Sequence, residues 1–447
     1  MGQLLRTLLG VAVGVGFVLG AFLALNALVD LAPKRYRMFS ALAWALVGAV
    51  VGALANSGGW FLGGPLWPLG GAVLGAGAGY LRGARPPSPE RQRAIPDRWR
   101  PVIFLAPALF FLAVTLVIPT IRTVYLSFRS SRGEDFVGFA NYRSVFGDNE
   151  IFSLRGLGDV FTSRLFILGL VVAVVIVGLH VLRARATGRG VDLGSPGPSM
   201  ALLVGATLVL LAAVGALRGV VWNNVYWVVF VTGVSTVLGL AIAWLADRSR
   251  GESLAKSLIF MPMAISFVGA SVIFRFVYAF TPASRDQIGL LNAVWVGFGG
   301  EPQAWIQQVP WNTLFLIAIM IWIQTGFAMV VLSASIKAVP TELLEAARVD
   351  GATEAQSFWR VTLPQISTTI GVVVVTLIIT VLKVYDIVKV MTNGEFGTNV
   401  IANQMFDEAF INRNFGRGST LAALLFLAVV PLMIVNVRRM RREAAEV

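Results

Sequence analysis

The stretch Glu345-Ala346-Ala347-Arg348-Val349-Asp350-Gly351-Ala352, which runs on to Leu363-Pro364, decides how this chain is read. It is a polar island between two apolar segments, 312–336 and about 369–391. A loop that only reverses the chain needs a few turn residues; this one carries helix punctuation. Pro340 and Thr341 make a helix start, with Glu342 and Glu345 in the first turn, where the helix dipole favours acids. Gly351 suits the left-handed position that ends a helix. Thr353-Glu354-Ala355-Gln356 matches a capping box for a second short helix, which Pro364 is expected to stop. The island at 337–366 therefore reads as helix, Gly turn, helix. Ala346, Ala347 and Ala352 are small enough to let another surface approach the backbone, and Phe358 and Trp359 supply apolar anchors. Two readings follow: a docking surface for a soluble partner, or an amphipathic helix lying on a membrane.

The rest of the chain is hydrophobic. Of 447 residues, 57% are hydrophobic and 13% charged, where a soluble domain carries about 25% charged. Blocks 8–29, 38–55, 60–81, 102–121, 200–217, 219–246, 312–336 and 420–437 contain no Asp, Glu, Lys or Arg. Each is near the roughly 20 residues a helix needs to cross a bilayer. Weaker candidates lie at 165–182, about 256–280 and about 369–391. The expectation is an all-α polytopic membrane protein with about 11 transmembrane helices. Block 8–29 is kept as a span, since it lacks the basic start and cleavage site of a signal peptide.

The net charge of +13 is no nucleic-acid footprint, because no basic face is interleaved with aromatics. It sits instead in Lys34-Arg35-Tyr36-Arg37, Arg82 through Arg100, Arg183–Arg189, Asp247–Lys256 and the tail Arg438–Arg442. With the tail inside the cell, eleven spans place every one of these loops in the cytoplasm, and the island with them. The N-terminus is then outside, as are the loops at about 128–163, 282–311 and 392–418. Absent cysteines exclude disulfides and thiolate chemistry. No paired carboxylates, Ser/His/Asp set or metal-ligand cluster argues for catalysis, a metal or a cofactor. No G-x-x-x-x-G-K-[ST] loop is present, and Gly416-Arg417-Gly418-Ser419-Thr420 has neither its spacing nor its Lys.

Polar groups inside spans are costly and often functional. Lys383, Asp386 and Lys389 recur every three residues and are expected on one helix face, either as an internal ion-pair ladder or with Tyr385 and Asp386 lining a pathway. Gln324, Thr325 and Phe327 lie mid-span, where a buried amide serves helix–helix bonding or solute contact. Arg275 with Tyr278, and the set Trp222, Tyr226, Trp227, read as interfacial anchors. The Gly-rich face of 60–81 either packs helices or opens a pore, and His180 reads as an interfacial residue.

Glu345-Ala346-Ala347 and Asp350-Gly351-Ala352, with nine residues between Gly351 and Val361 and then Leu363-Pro364, resemble the EAA loop of ABC importer permeases. That family usually has Ile where Val361 stands. Phe136 to Tyr142, Ile288 to Asn292 and Met391 to Gly394 are similar to landmarks of maltose-type permeases. Gly300 to Trp305, Gln324 to Phe327 and Val384 to Val388 resemble the alpha-glucoside branch. The resemblance covers about 102–162 and 219–442; 163–218 looks like an inserted two-span hairpin, 1–82 like a three-span N-terminal extension, and 83–101 is a cytoplasmic Pro/Arg linker, semi-extended.

The resemblance implies a type I importer in a bacterial or archaeal plasma membrane, with a six-helix permease core plus extra spans. Its partners would be a second homologous permease, a pair of ATP-binding subunits that hydrolyse ATP, and an external sugar-binding protein. Glu345, Ala346, Ala347, Asp350, Gly351, Ala352, Leu363 and Pro364 would couple to the ATPase. Gln324, Thr325, Phe327, Tyr385 and Asp386 would line half of the path of an alpha-glucoside or related oligosaccharide. The alternatives are a secondary transporter or channel, which would carry intramembrane acids and two similar halves, and, behind it, a membrane enzyme.

Overall fold

In hydrocarbon the backbone has no water to bond, so uncharged runs of about 20 residues close their bonds internally as helices. The computed structural model describes residues 20, 22–57, 66–186, 196–247, 249 and 251–446. Among these, nearly all regular structure is helical, and the one β-type pairing is an isolated bridge between Arg129 and Phe136. Six described helices are long and apolar enough to cross a membrane: Pro89–Leu126, Arg164–Ala186, Gly197–Ala216, Val220–Ala246, Asn312–Lys337 and Phe415–Val435. The number rises to eight if each of two bent pairs is one span: Glu252–Ala264 with Phe267–Val277 at 102°, and Glu354–Gln365 with Ser367–Leu382 at 67°. The first falls on the candidate at about 256–280; of the second, Ser367–Leu382 covers the first part of the candidate at about 369–391, and Glu354–Gln365 belongs to the 337–366 loop. The expected spans at 38–55 and 60–81 correspond to helices Tyr36–Ser57 and Leu66–Arg82. Residues 8–19 and 21 of the first span, 60–65 of the third, 187–189 of one basic loop, and Arg248 and Arg250 of another lie outside the described residues.

The chain divides into two compact units, Met1–Arg122 and Thr123–Val447. In the first, helices Tyr36–Ser57 and Leu66–Arg82 pack backbone to backbone on glycines. A Cβ on Gly79 would lie 2.7 Å from Trp44 Cβ and 2.9 Å from Ala41 Cα, so nothing larger than hydrogen fits. Ser40 Oγ donates to the Gly79 carbonyl at 2.8 Å. The Gly-rich face thus packs a helix. The 83–101 linker departs from the extended reading, being helical from Pro89 onward. Pro89 stands in the first turn, where a missing N–H costs nothing, and a turn of intact bonds separates Pro96, Pro101 and Pro107.

The second unit is built on Val220–Ala246 packed against Asn312–Lys337. They approach closely at Gly239, where a Cβ would meet Ala328 Cβ at 2.6 Å. Trp227, Leu316, Ile317, Met320 and Ile387 fill the core on one side of this contact, and Met329, Leu332, Val373 and Leu377 fill it on the other. Tyr226 and Trp227 therefore belong to the core and not to an interfacial belt: Trp227 is fully buried, and the Tyr226 hydroxyl lies 2.8 Å from the Ala213 carbonyl. Tyr278 is likewise buried, its hydroxyl donating to Phe315 O at 3.0 Å, while Arg275 is exposed. The two tyrosines went inward because each hydroxyl found a carbonyl there. The hairpin Arg164–Ala186 and Pro196–Ala216 closes where Gly169 and Gly205 face each other.

Candidate functional site

The 337–366 loop leaves the end of helix Asn312–Lys337 and forms helix Thr341–Val349 after Pro340. Gly351 has φ +82°, and a Cβ there would meet nothing within 4 Å. The glycine is thus required by the backbone turn and not by lack of room. Around it Gly351 N donates to Arg348 O at 3.0 Å, and Ala352 N to Ala347 O at 2.9 Å, closing the helix end. The capping box is formed: Gln356 N donates to Thr353 Oγ1 at 3.3 Å, and Thr353 N to Gln356 Oε1 at 2.8 Å. Arg348 and Glu354 pair across the turn at 3.1 Å, but both are more than half exposed, so the pair is worth about 0–1 kcal/mol. Glu345, Ala346, Asp350 and Gly351 are exposed, and Ala347 and Ala352 half-buried. The turn therefore offers small side chains beside acids.

Pro364 does not stop the second helix. Residues 358–362 form a π turn that shifts the bonding register, so Pro364 falls in the first positions of the next turn, Leu363–Gln365, where no N–H is needed. The chain bends one step later, at buried Ile366. Leu363 is half-buried and Pro364 exposed.

The two aromatics separate in role. Phe358 is 7% exposed and packs on Trp244 of helix Val220–Ala246, with ring centroids 4.9 Å apart. Trp359 is 62% exposed. One ring anchors the loop to its own protein and the other faces out. A cavity of about 100 Å³ lies between Trp244, Asp247, Ile336, Leu344, Arg348 and Phe358. A charge cluster clamps the neighbouring 247–256 segment to the helix from which the loop departs. Lys256 bonds Asp247, Ser333 and Glu252 (2.6 Å), Ser333 donates to Asp247 at 2.8 Å, and Lys337 pairs with Glu252. Sequence reasoning read 247–256 only as a basic loop. The Glu252/Lys256 spacing of four was the available signal.

Gln324 and Thr325 are buried on helix Asn312–Lys337, and Thr325 Oγ1 donates to Ile321 O at 2.7 Å. Gly326 beside them lets the bent segment approach: a Cβ would stand 2.7 Å from Ile259 O. Phe327 packs against the core with Met329 and Leu332. Lys383 does not share a helix with Asp386 and Lys389. Helix Ser367–Leu382 ends at Lys383, Tyr385 has φ −140°, and a new helix, Asp386–Met391, starts beyond it. Freed by that break, Lys389 pairs with Asp407 at 3.0 Å and lies over the Phe406 ring. Tyr385 packs on Phe406 and lines a cavity of about 290 Å³ with Lys383, Ala402, Met405 and Leu425. Gln324, Thr325 and Phe327 are not among its walls, so the two predicted sets are not brought together there.

Buried amides organise the loops at the other end of the unit. Asn292 is fully buried and makes four bonds. Its Nδ2 donates to Ala279 O (3.0 Å) and Gln303 O (2.9 Å), and its Oδ1 accepts from Gln303 N (2.9 Å) and Trp305 Nε1 (3.0 Å). It thereby joins the two landmark segments 288–292 and 300–305. Asn223 Nδ2 donates to the carbonyls of Gly397 and Asn399, and Asn224 Oδ1 accepts from Ile401 N. Arg417 pairs with Asp148 and with Glu408. A cavity of about 770 Å³ opens among these loops, with Glu150, Arg155, Asp159, Arg218 and Glu395 in its walls.

A model of the family described as "Binding-protein-dependent transport system inner membrane component" matches residues 235–440, which include the 337–366 loop. The osmoprotective compounds uptake permease protein GgtC of Synechocystis is 44% identical over 341 residues, 76% of this chain and 99% of that protein. The alpha-glucoside transport system permease protein AglF of Rhizobium meliloti is 41% identical over 356 residues, 79% of this chain and 86% of that protein. Among solved structures, a bacterial ABC transporter involved in the import of the acidic polysaccharide alginate superposes with TM-score 0.51. At 18% identity, over 79% of this chain and 99% of that one, the likeness is one of fold.

Proposed function

Because the chain belongs to the binding-protein-dependent inner membrane components of ABC transporters, we propose that it forms half of the membrane pathway of an ATP-driven importer for an alpha-glucoside or related oligosaccharide. The 337–366 loop docks into a separate ATP-binding subunit on the cytoplasmic side. A second, homologous permease completes the pathway, and an external binding protein delivers the sugar. ATP hydrolysis belongs to the partner; this chain converts closure of the ATPase pair into movement of its spans.

One observation carries the coupling role: the loop is exposed, locally hydrogen-bonded and tied to the spans. Its turn is fixed by Gly351, its second helix by the capping box, and its base by Phe358 on Trp244. A push on Glu345, Asp350 or Ala352 would thus reach helix Val220–Ala246 through the aromatic contact, and helix Asn312–Lys337 through the chain itself. Along the pathway, Gln324 and Thr325 offer buried polar groups, and Tyr385 and Asp386 lie where a helix is broken; both suit sugar hydroxyls.

The test is reconstitution of the four-part transporter in vesicles, with uptake of radiolabelled trehalose, sucrose and maltose measured beside ATP hydrolysis. Glu345→Lys is expected to leave insertion intact and basal hydrolysis measurable while uptake falls to background. Normal uptake by that variant would end the docking assignment.

A further inference from the structure

The first unit has a cleft that the transport reading does not use. It has a volume of about 620 Å³ and lies where helix Tyr36–Ser57 begins and helix Leu66–Arg82 ends. Arg35 and Arg37 stand in one part of its wall, and Met38, Ala41, Leu42 and Tyr80 in another. Both helices are apolar along their length, so their shared end lies at headgroup depth, where Tyr and basic side chains collect. Met38, Leu42 and Tyr80 are 45%, 44% and 51% exposed. An apolar strip therefore runs from the arginines toward the hydrocarbon.

Charge decides what the cleft would take. Between residues 31 and 89 the sequence has Lys34, Arg35, Arg37, Arg82 and Arg85 and no Asp or Glu. Asp30, the acid just before this segment, pairs with Arg100 at 3.0 Å. Arg37 makes no ion pair among the described residues. Its guanidinium lies 3.9 Å from the centroid of the Tyr80 ring, and its Nε is 3.5 Å from the Tyr80 carbonyl. The stacking holds the guanidinium plane in place, which suits two-point recognition of a phosphate. Gly83 makes this arrangement possible, since a Cβ there would sit 2.9 Å from Arg37 Cα.

We propose that this cleft binds an anionic phospholipid: Arg35 and Arg37 hold the phosphodiester, and an acyl chain runs along Met38 and Leu42. A free phosphate would use the arginines but leave the apolar strip in contact with water. Basic pockets between membrane helices take anionic headgroups in this way. The first unit would then be a lipid-anchoring module, independent of any sugar carried by the second.

The test uses the full chain, delipidated in mild detergent. Native mass spectrometry counts bound phosphatidylglycerol and phosphatidylcholine at equal concentrations, with and without excess inorganic phosphate. Phosphatidylglycerol is expected to be retained in preference, and Arg35→Ala with Arg37→Ala is expected to lower its affinity about 25-fold, roughly fivefold per arginine. Arg143→Ala, in the second unit, should change nothing. Equal retention of the two lipids by the unaltered chain would overturn the proposal, and that comparison requires no variant to fold. So would full displacement by inorganic phosphate, which would mark a simple anion site, or an unchanged affinity in the double variant. Because the readout is lipid binding, its failure would leave the transport assignment standing.

Discussion

At Gly351 the backbone sits at φ +82° with open space on every side. An L side chain in that region costs about 1–2 kcal/mol, and proline, locked near −65°, cannot enter it and would also lose the N–H bonded to Arg348 O. Gly351→Ala should therefore still insert and transport at a rate reduced several-fold. Gly351→Pro should insert and transport nothing while hydrolysis continues, as paired uptake and ATPase assays would reveal. Asn292 is the opposite case, a side chain with every hydrogen-bonding group used. Replacing it by Ala strips four bonds and leaves the part-buried carbonyls of Ala279 and Gln303 without that partner, a loss of roughly 2–4 kcal/mol. A lowered melting midpoint in a thermal-shift assay is the expected sign. Gly351 was legible from sequence, because its neighbours form a capping box and a helix end with fixed spacing. Asn292 was legible only as a landmark, since its partners lie on other segments.

Among elements, the 337–366 loop has an inner and an outer aromatic ring. Phe358→Ala removes the stacking on Trp244, worth about 0.5–1.5 kcal/mol beyond the buried area, and leaves the exposed face of the loop unchanged. The variant should still bind the ATP-binding subunit in a pull-down, yet lose at least half of its uptake. Trp359→Ala should weaken the pull-down itself. If both variants lost subunit binding equally, the division between inner and outer ring would be wrong. Sequence placed both helices of this loop but not the π turn at Phe358–Thr362, where Phe358 meets Trp244 from more than a hundred residues away. The same limit explains Lys383, Asp386 and Lys389: spacing alone put all three on one face, and the break at Tyr385 separates Lys383 from the other two. Local periodicity fixes which residues are helical; it does not see where tertiary contacts interrupt the helix.

For the whole molecule, the charge pattern predicts the sidedness of every loop, and the chain is well suited to a direct check because it contains no cysteine. Asp350→Cys should react with a membrane-impermeant maleimide only after the cells are opened, and Glu134→Cys in intact cells once the outer barrier is permeable. Labelling of Asp350→Cys from outside would reverse the orientation and with it the coupling role. The six described helices long and apolar enough to cross a membrane follow from apolar block length, while the burial of Trp227 and Tyr226 does not, since an aromatic near a helix end reads the same whether it meets lipid headgroups or a protein core. The surface of the loop has a consequence for the life of the subunit. Val349 is 87% exposed, Trp359 62% and Leu343 41%, three oily side chains on short helices outside any long apolar stretch. In the proposed assembly, a copy made without its companions would display them to chaperones and proteases, so surplus subunits should be culled unless docking shields that patch, and stoichiometry would be enforced by degradation as much as by synthesis.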